Sequence, residues 1–233
     1  MYSYLITLTY DFLDKENNPK GFFIFVLCVV LIAILALFLI VFPFIRRHYV
    51  FKNFQKIYYK KIRQIADIND YYLINNLVIK NNNQLVCRID HVLFGDKYIY
   101  VIKDRYYRGA ISGNKEDATW IFYSNDGKKF EMENPMQVNE KRLEKLSLIT
   151  QIDPSFFISI VLINDNCAIK NASELNKEDS FIVARKNLKK IIKAIEKRNV
   201  KNMDQKQLEF AVQDISRLYG RNSNKNANDT GEF

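Results

Sequence analysis

From Gly21 to Ile45 the chain runs GFFIFVLCVVLIAILALFLIVFPFI, a stretch without one charge. A helix over it reaches about 37 Å at roughly 1.5 Å per residue, enough to cross a hydrocarbon layer of about 30 Å with some tilt. The run is longer than a signal-peptide core, begins late and ends in FPFIRR rather than in small residues, so the pattern predicts a retained transmembrane helix over 21–45.

Beyond Tyr71 the hydrophobic spacing shortens. YYLINNLVI and QLVCRIDHVLF predict two strands around the polar KNNN turn, and Gly95-Asp96 punctuates a hairpin into KYIYVIKD. GAISG and TWIFYS predict further short strands, the second closed by NDG. Asn134-Pro135 is a helix start, a side-chain cap followed by proline in the first turn, and leads into MQVNEKRLEKLSLI. SFFISIVLI is a run of apolar residues broken only by serine, as expected of a strand buried on both faces, and SFIVAR is another strand. Leu188, Ile191, Ile192 and Ile195 then recur at helical spacing, as do Leu208, Ala211, Val212, Ile215 and Leu218 behind Asp204. Antiparallel strands followed by helix, strand, strand and helix predict an α/β sandwich rather than a bundle or barrel. The tail GRNSNKNANDTGEF is polar and is expected to be disordered.

Charge adds an orientation. Arg46, Arg47, Lys52, Lys56, Lys60, Lys61 and Arg63 all precede Asp67, the first acid after the apolar run, whereas Asp11, Asp14 and Glu16 outweigh Lys15 and Lys20 before it. The positive-inside bias therefore puts residues 1–20 outside and everything after Ile45 in the cytoplasm. Residues 46–68 form a basic juxtamembrane segment, and its bases over 46–63 suit anionic lipid headgroups as well as they suit a solvated stalk. Over all 233 residues the net charge is +9, which favours anionic partners and leaves the fold open. Three scattered cysteines and two histidines argue against a zinc site, a disulfide framework or His-rich metal chemistry. Nothing in the sequence sets an oligomeric state.

One constellation carries candidate chemistry. The order NNLVI, CRIDHVLF, YIYVIKDRYYRGAISG, Trp120 and NPMQVN resembles the NERD (nuclease-related) domain, over roughly Leu73 to Leu146. Members of that family often sit beside a membrane helix, and their fold is similar to PD-(D/E)xK restriction-type nucleases. The resemblance implies a restriction-endonuclease-like mixed sheet flanked by helices, spanning 69–200, with a C-terminal helix over 201–219 and the tail over 220–233. It also implies a Mg²⁺ site built from an aspartate of IDH and an E-x-K on the next strand. The metal polarises a phosphoryl oxygen and acidifies water, and the lysine stabilises the charge that develops.

Here the aspartate is Asp90, but the glutamate position holds Lys103 and the lysine position holds Arg105. Asp104 points to the opposite face of its strand, and a one-residue slip would invert the whole strand. Two cations beside one acid oppose a divalent cation by on the order of 4 kcal/mol per unit charge at 4 Å. Lysine and arginine also supply no oxygen ligand. Glu116, Asp117, Glu131 and Glu133 read as solvated loop acids, and Gln137 falls one residue early for the family's NP-x-x-Q spacing. The expectation is a degenerate site without metal or other cofactor, in which Lys103 pairs with Asp90. Arg105, Lys103 and Arg108 then suit phosphate, so the expected function is a membrane-anchored, cytoplasm-facing binder of nucleic acid, DNA or RNA, or of another phosphate-rich partner. Two alternatives remain open: a Mg²⁺-dependent nuclease with atypical residues, and a membrane-associated protein scaffold.

Overall fold

The computed structural model describes residues 19–81, 84–170, 175–176 and 178–228, and the chain divides into two units at Asn53/Phe54. The first unit contributes helix α1 (Pro19–Lys52), which contains the apolar run and is long and apolar enough to cross a membrane. The expectation for residues 1–20 falls almost wholly outside the described residues.

The second unit opens with α2 (Phe54–Asn69) and a run of six strands: β1 (Tyr72–Asn81), β2 (Gln84–Phe94), β3 (Ile99–Asp104), β4 (Gly109–Ser112), β5 (Thr119–Ser124) and β6 (Lys129–Glu133). Helix α3 (Pro135–Thr150), β7 (Phe157–Ile163), β8 (Ala168–Ile169), β9 (Ser180–Ala184), α4 (Leu188–Glu196) and α5 (Gln205–Asn228) follow. The larger sheet has the order β1-β2-β3-β7-β9, antiparallel across β1–β3 and parallel from β3 to β9. A smaller sheet has the order β6-β5-β4-β8. The mixed α/β class is as the sequence predicts; the second sheet, with β6 and β8, is additional.

Each face of the larger sheet is covered by helices, so its inner strands are apolar on both sides. Tyr58, Ile62 and Ile65 of α2 pack with Leu93, Tyr100, Ile102 and Ile192 of α4 on one face. Leu143 and Leu146 of α3 pack with Val92, Ile99, Val101 and Ile215 of α5 on the other. Trp120, Ile111 and Met136 join the smaller sheet to β7 through Val161 and Ile163.

Three observations bear on the expected boundaries. The apolar face of α2 is part of the core of the second unit, which starts at Phe54. The last helix is likewise part of the domain rather than an appendage after 200, since Ala211 and Ile215 are buried in it. That helix also runs to Asn228, past the expected start of the tail at 220. The segment contains no proline, and asparagine, serine and glycine lower helix propensity without the ring clash that ends a helix. Residues 229–233 lie outside the described residues.

Candidate functional site

Antiparallel register sets the site. His91 pairs with Ile102 across β2 and β3, which brings Asp90 opposite Lys103 on the face covered by α3. The Lys103 ammonium donates to Asp90 Oδ1 at 2.8 Å and lies 2.8 Å from Oδ2 as well. The Asp104 backbone N–H donates to the same Oδ2 at 3.0 Å. Both oxygens of the carboxylate are therefore engaged by the chain itself. Beside it Asn76, at φ 52°, drops out of the pairing between Asn75↔His91 and Leu77↔Ile89, an irregularity opposite Asp90. Asparagine tolerates that left-handed conformation better than most residues.

Helix α3 adds a residue that sequence reading missed. Its start is fixed by Asn134, whose Oδ1 accepts from the N–H groups of Met136 and Gln137 at 3.0 and 3.4 Å. Its middle is pinned by buried Asn139, which donates to Val101 O and to Ser159 Oγ, both at 2.9 Å. Arg142 follows one turn later, and its Nη1 is buried with no hydrogen-bond partner among the described residues. Burial first, and the Arg105 guanidinium second, hold Arg142 below the usual arginine value, while Asp90 opposes them. Burial likewise holds Lys103 below its usual 10.5, against the bond from Asp90 and with Arg142 and Arg105 adding to the depression. One carboxylate thus holds the Lys103 ammonium and acts through space on Arg142, while Arg105 acts on both of those cations. Nothing in the sequence EKRLEKL singles Arg142 out; only the crossing of α3 over β2 and β3 selects it.

Of the other singled-out residues, Arg105 stays within electrostatic reach of Lys103 and Arg142, and the rest disperse. Arg105 follows β3, its carbonyl accepting from the Tyr58 hydroxyl at 3.2 Å. Arg108 is exposed in the turn before β4, its carbonyl accepting from Asn125 N–H at 3.1 Å. Gln137 donates through Nε2 to Lys115 O at 3.0 Å, so it is tied to the loop before β5. Glu116, Asp117, Glu131 and Glu133 are exposed, the last two on β6. Among the described residues no group of three His, Cys, Asp or Glu side chains stands together as metal ligands. The donor set around Asp90 does not fit Mg²⁺, which needs several oxygens, because the one acid is already held by an ammonium and an amide.

Asp104 occupies the opposite face, as strand alternation requires. Its Oδ2 lies 3.0 Å from His91 Nε2, and His91 Nδ1 lies 2.7 Å from Asn75 Oδ1. Burial raises Asp104 above its usual 3.8, the His91 bond opposes that rise, and Asp90 adds to it. Across the window from 3.8 up to the raised value the folded state binds more protons than the unfolded state, so this group's contribution to stability falls as pH rises. Asp104→Asn is expected to remove that fall. Urea midpoints measured across the acid range for both proteins check it; an identical pH slope in the two would assign the effect to other carboxylates.

These features define an α/β domain with a polar site where two neighbouring antiparallel strands meet a covering helix. Comparison with known proteins agrees with that reading: residues 52–164 match the model of NERD, the nuclease-related domain. The chain is also 27% identical, over 123 residues, to an uncharacterised protein, pXO1-01, of Bacillus anthracis. That match covers 51% of this chain and 55% of the relative, so the chain spans about half the relative's length. No solved structure matches it.

Proposed function

We propose that this is a membrane-anchored NERD-domain protein that holds nucleic acid by its phosphates and does not cut it. The observation that carries the reading is Lys103, whose ammonium sits on both oxygens of Asp90 in the position where a metal-dependent relative needs a second acid. Arg105 and Arg142 are left as the surplus charge, and planar guanidiniums suit two-point contacts with phosphate. The Arg142 Nη1 atom, buried and without a partner among the described residues, is the kind of donor that a phosphate oxygen satisfies.

Helix α1 anchors the protein in a bilayer, and the bases that follow the apolar run favour the cytoplasmic side for the domain. Exposed Lys56 and Lys60 on α2, with Arg46, Arg47 and Lys52 before them, favour contact with anionic headgroups.

The test uses the full chain in neutral-lipid nanodiscs. Fluorescence anisotropy with labelled DNA and RNA strands is expected to show affinity falling steeply with salt. Arg105→Gln and Arg142→Gln are each expected to reduce the log–log slope by about 0.7–0.9, the share of one phosphate contact. The same mixtures with Mg²⁺ or Mn²⁺ are expected to leave the strands intact. Metal-dependent cleavage would replace this reading with an active nuclease, and salt-insensitive capture of proteins without nucleic acid would replace it with a scaffold.

A further inference from the structure

The face of the larger sheet opposite the Asp90–Lys103 pair carries a second arrangement that phosphate binding does not use. A cleft of about 310 Å³ opens there between the first turns of α2 and strands β1–β3. Its size falls at the lower end of the roughly 300–1,000 Å³ usual for small-molecule sites. Asn75, His91 and Asp104 line it as a chain of polar groups, His91 lying between the other two. The Asp104 side chain is only 2% exposed, and its Oδ1 has no hydrogen-bond partner among the described residues. Tyr59 from α2 lies nearly parallel to the His91 ring, 15° between planes and 6.4 Å between centroids, and also lines the cleft. Lys56, one turn earlier on α2, is exposed and lines it too.

Each component restricts what can bind. An ionised carboxylate only accepts hydrogen bonds, so Asp104 Oδ1 calls for an N–H or O–H donor. Oδ2 is occupied by His91, so a single donor is wanted rather than a matched pair. The aromatic ring of Tyr59 favours a flat partner. Lys56 repels a simple cation and draws a ligand that also carries negative charge. A flat ring with an amino group, joined to a phosphate, meets all four conditions.

We propose that this cleft binds a nucleobase bearing an exocyclic amino group, presented by a free nucleotide or by an unstacked base of a single strand. Cytosine, adenine and guanine carry that donor. Uracil offers a carbonyl oxygen where cytosine has its amino group, and that oxygen faces the carboxylate unfavourably. For the strand-borne source the inference deepens the phosphate-binding reading and rests on it; for the free nucleotide it does not. Asp90 also lines the cleft, so an unstacked base lodged there would keep its own strand close to the cations around that acid.

The experiment titrates the full chain in neutral-lipid nanodiscs with CMP and UMP by calorimetry, then with an oligo-dC strand and an abasic strand of equal length. Wild type, Asp104→Asn and Tyr59→Leu are compared, with Trp120 emission as the check on folding. CMP is expected to bind about tenfold more tightly than UMP, the worth of one hydrogen bond to a charged acceptor. Asp104→Asn is expected to erase that preference, since a carboxamide both donates and accepts, and Tyr59→Leu to weaken both nucleotides together. Equal binding of CMP and UMP by the wild type, or a preference that survives Asp104→Asn, overturns the proposal. A wild-type preference for oligo-dC over the abasic strand assigns the site to strand-borne bases, whereas nucleotide discrimination without it assigns the site to free nucleotides. Salt-dependent strand binding with no CMP preference sinks the cleft and leaves the phosphate reading standing. A CMP preference without strand binding does the reverse.

Discussion

Replacing Asp90 by alanine is expected to destabilise the domain by about 3–5 kcal/mol, the usual result of removing one partner from a buried ion pair. The Lys103 and Asp90 side chains are only 13% and 10% exposed, so the ammonium left behind cannot recover its hydration by a small movement. It would also face Arg142 and Arg105, which already help to depress it. The pH dependence follows from that depression. A lysine whose folded value lies below its unfolded 10.5 weakens the fold fully below the folded value, and the penalty is relieved as pH rises towards 10.5. Loss of Asp90 lowers the folded value further, so the penalty of the substitution should shrink as pH is raised from neutral. Urea unfolding of the full chain in detergent micelles measures this through Trp120, the one tryptophan, which is fully buried and donates from Nε1 to Asn114 O at 2.8 Å. Asp90→Ala combined with Lys103→Met removes both charges and is expected to recover most of the loss. A single-variant cost of about 1 kcal/mol or less would instead mark the pair as one of the many exposed bridges that contribute little.

Strand chemistry was more legible in this sequence than helix placement. QLVCRIDHVLF and the largely apolar SFFISIVLI announce β2 and β7 because alternation and continuous burial leave different patterns. Asn134-Pro135 announces α3 because a cap followed by proline has a local cause. Strand β6 was not visible: Lys129, Phe130, Glu131 and Glu133 are exposed on a sheet edge, where no inward face imposes alternation. The role of α2 was obscured by its own charge. Tyr58, Ile62, Ile65 and Ala66 share a face at helical spacing, but the bases between them suggested a stalk or a lipid surface. The site divides in the same way. Alternation alone separates Asp104 from Lys103, and family position alone pairs Lys103 with Asp90. Arg142 and the His91–Asn75 contact depend on how α3 and β1 cross their neighbours, which no local pattern encodes.

Gly109→Ala is expected to disrupt the smaller sheet, at a cost of about 3 kcal/mol or more when strain at a forbidden φ and overpacking are combined. Gly109 stands at φ 156°, where L side chains rarely sit, and a Cβ there would collide with the Tyr123 carbonyl oxygen across the β4–β5 pair. Backbone cannot retreat as a flexible side chain can, so relief requires β4 to leave β5. That would release Ile111, which is packed with Trp120 and Met136, and move the start of α3. Gly127 supplies the control. It also has a positive φ, 85°, but a Cβ there meets nothing within 4 Å among the described residues. Gly127→Ala should therefore cost only the conformational strain, about 1 kcal/mol. Melting followed by Trp120 emission should place the two far apart, at about 2–4 °C per kcal/mol for a unit of this size. Because Gly109 ends the segment that begins at Arg105, its substitution should also weaken strand binding in the anisotropy assay, while Gly127→Ala leaves it unchanged. Equal shifts for the two glycines would mean that β4 yields without parting from β5, and that the smaller sheet does not hold the basic segment in place.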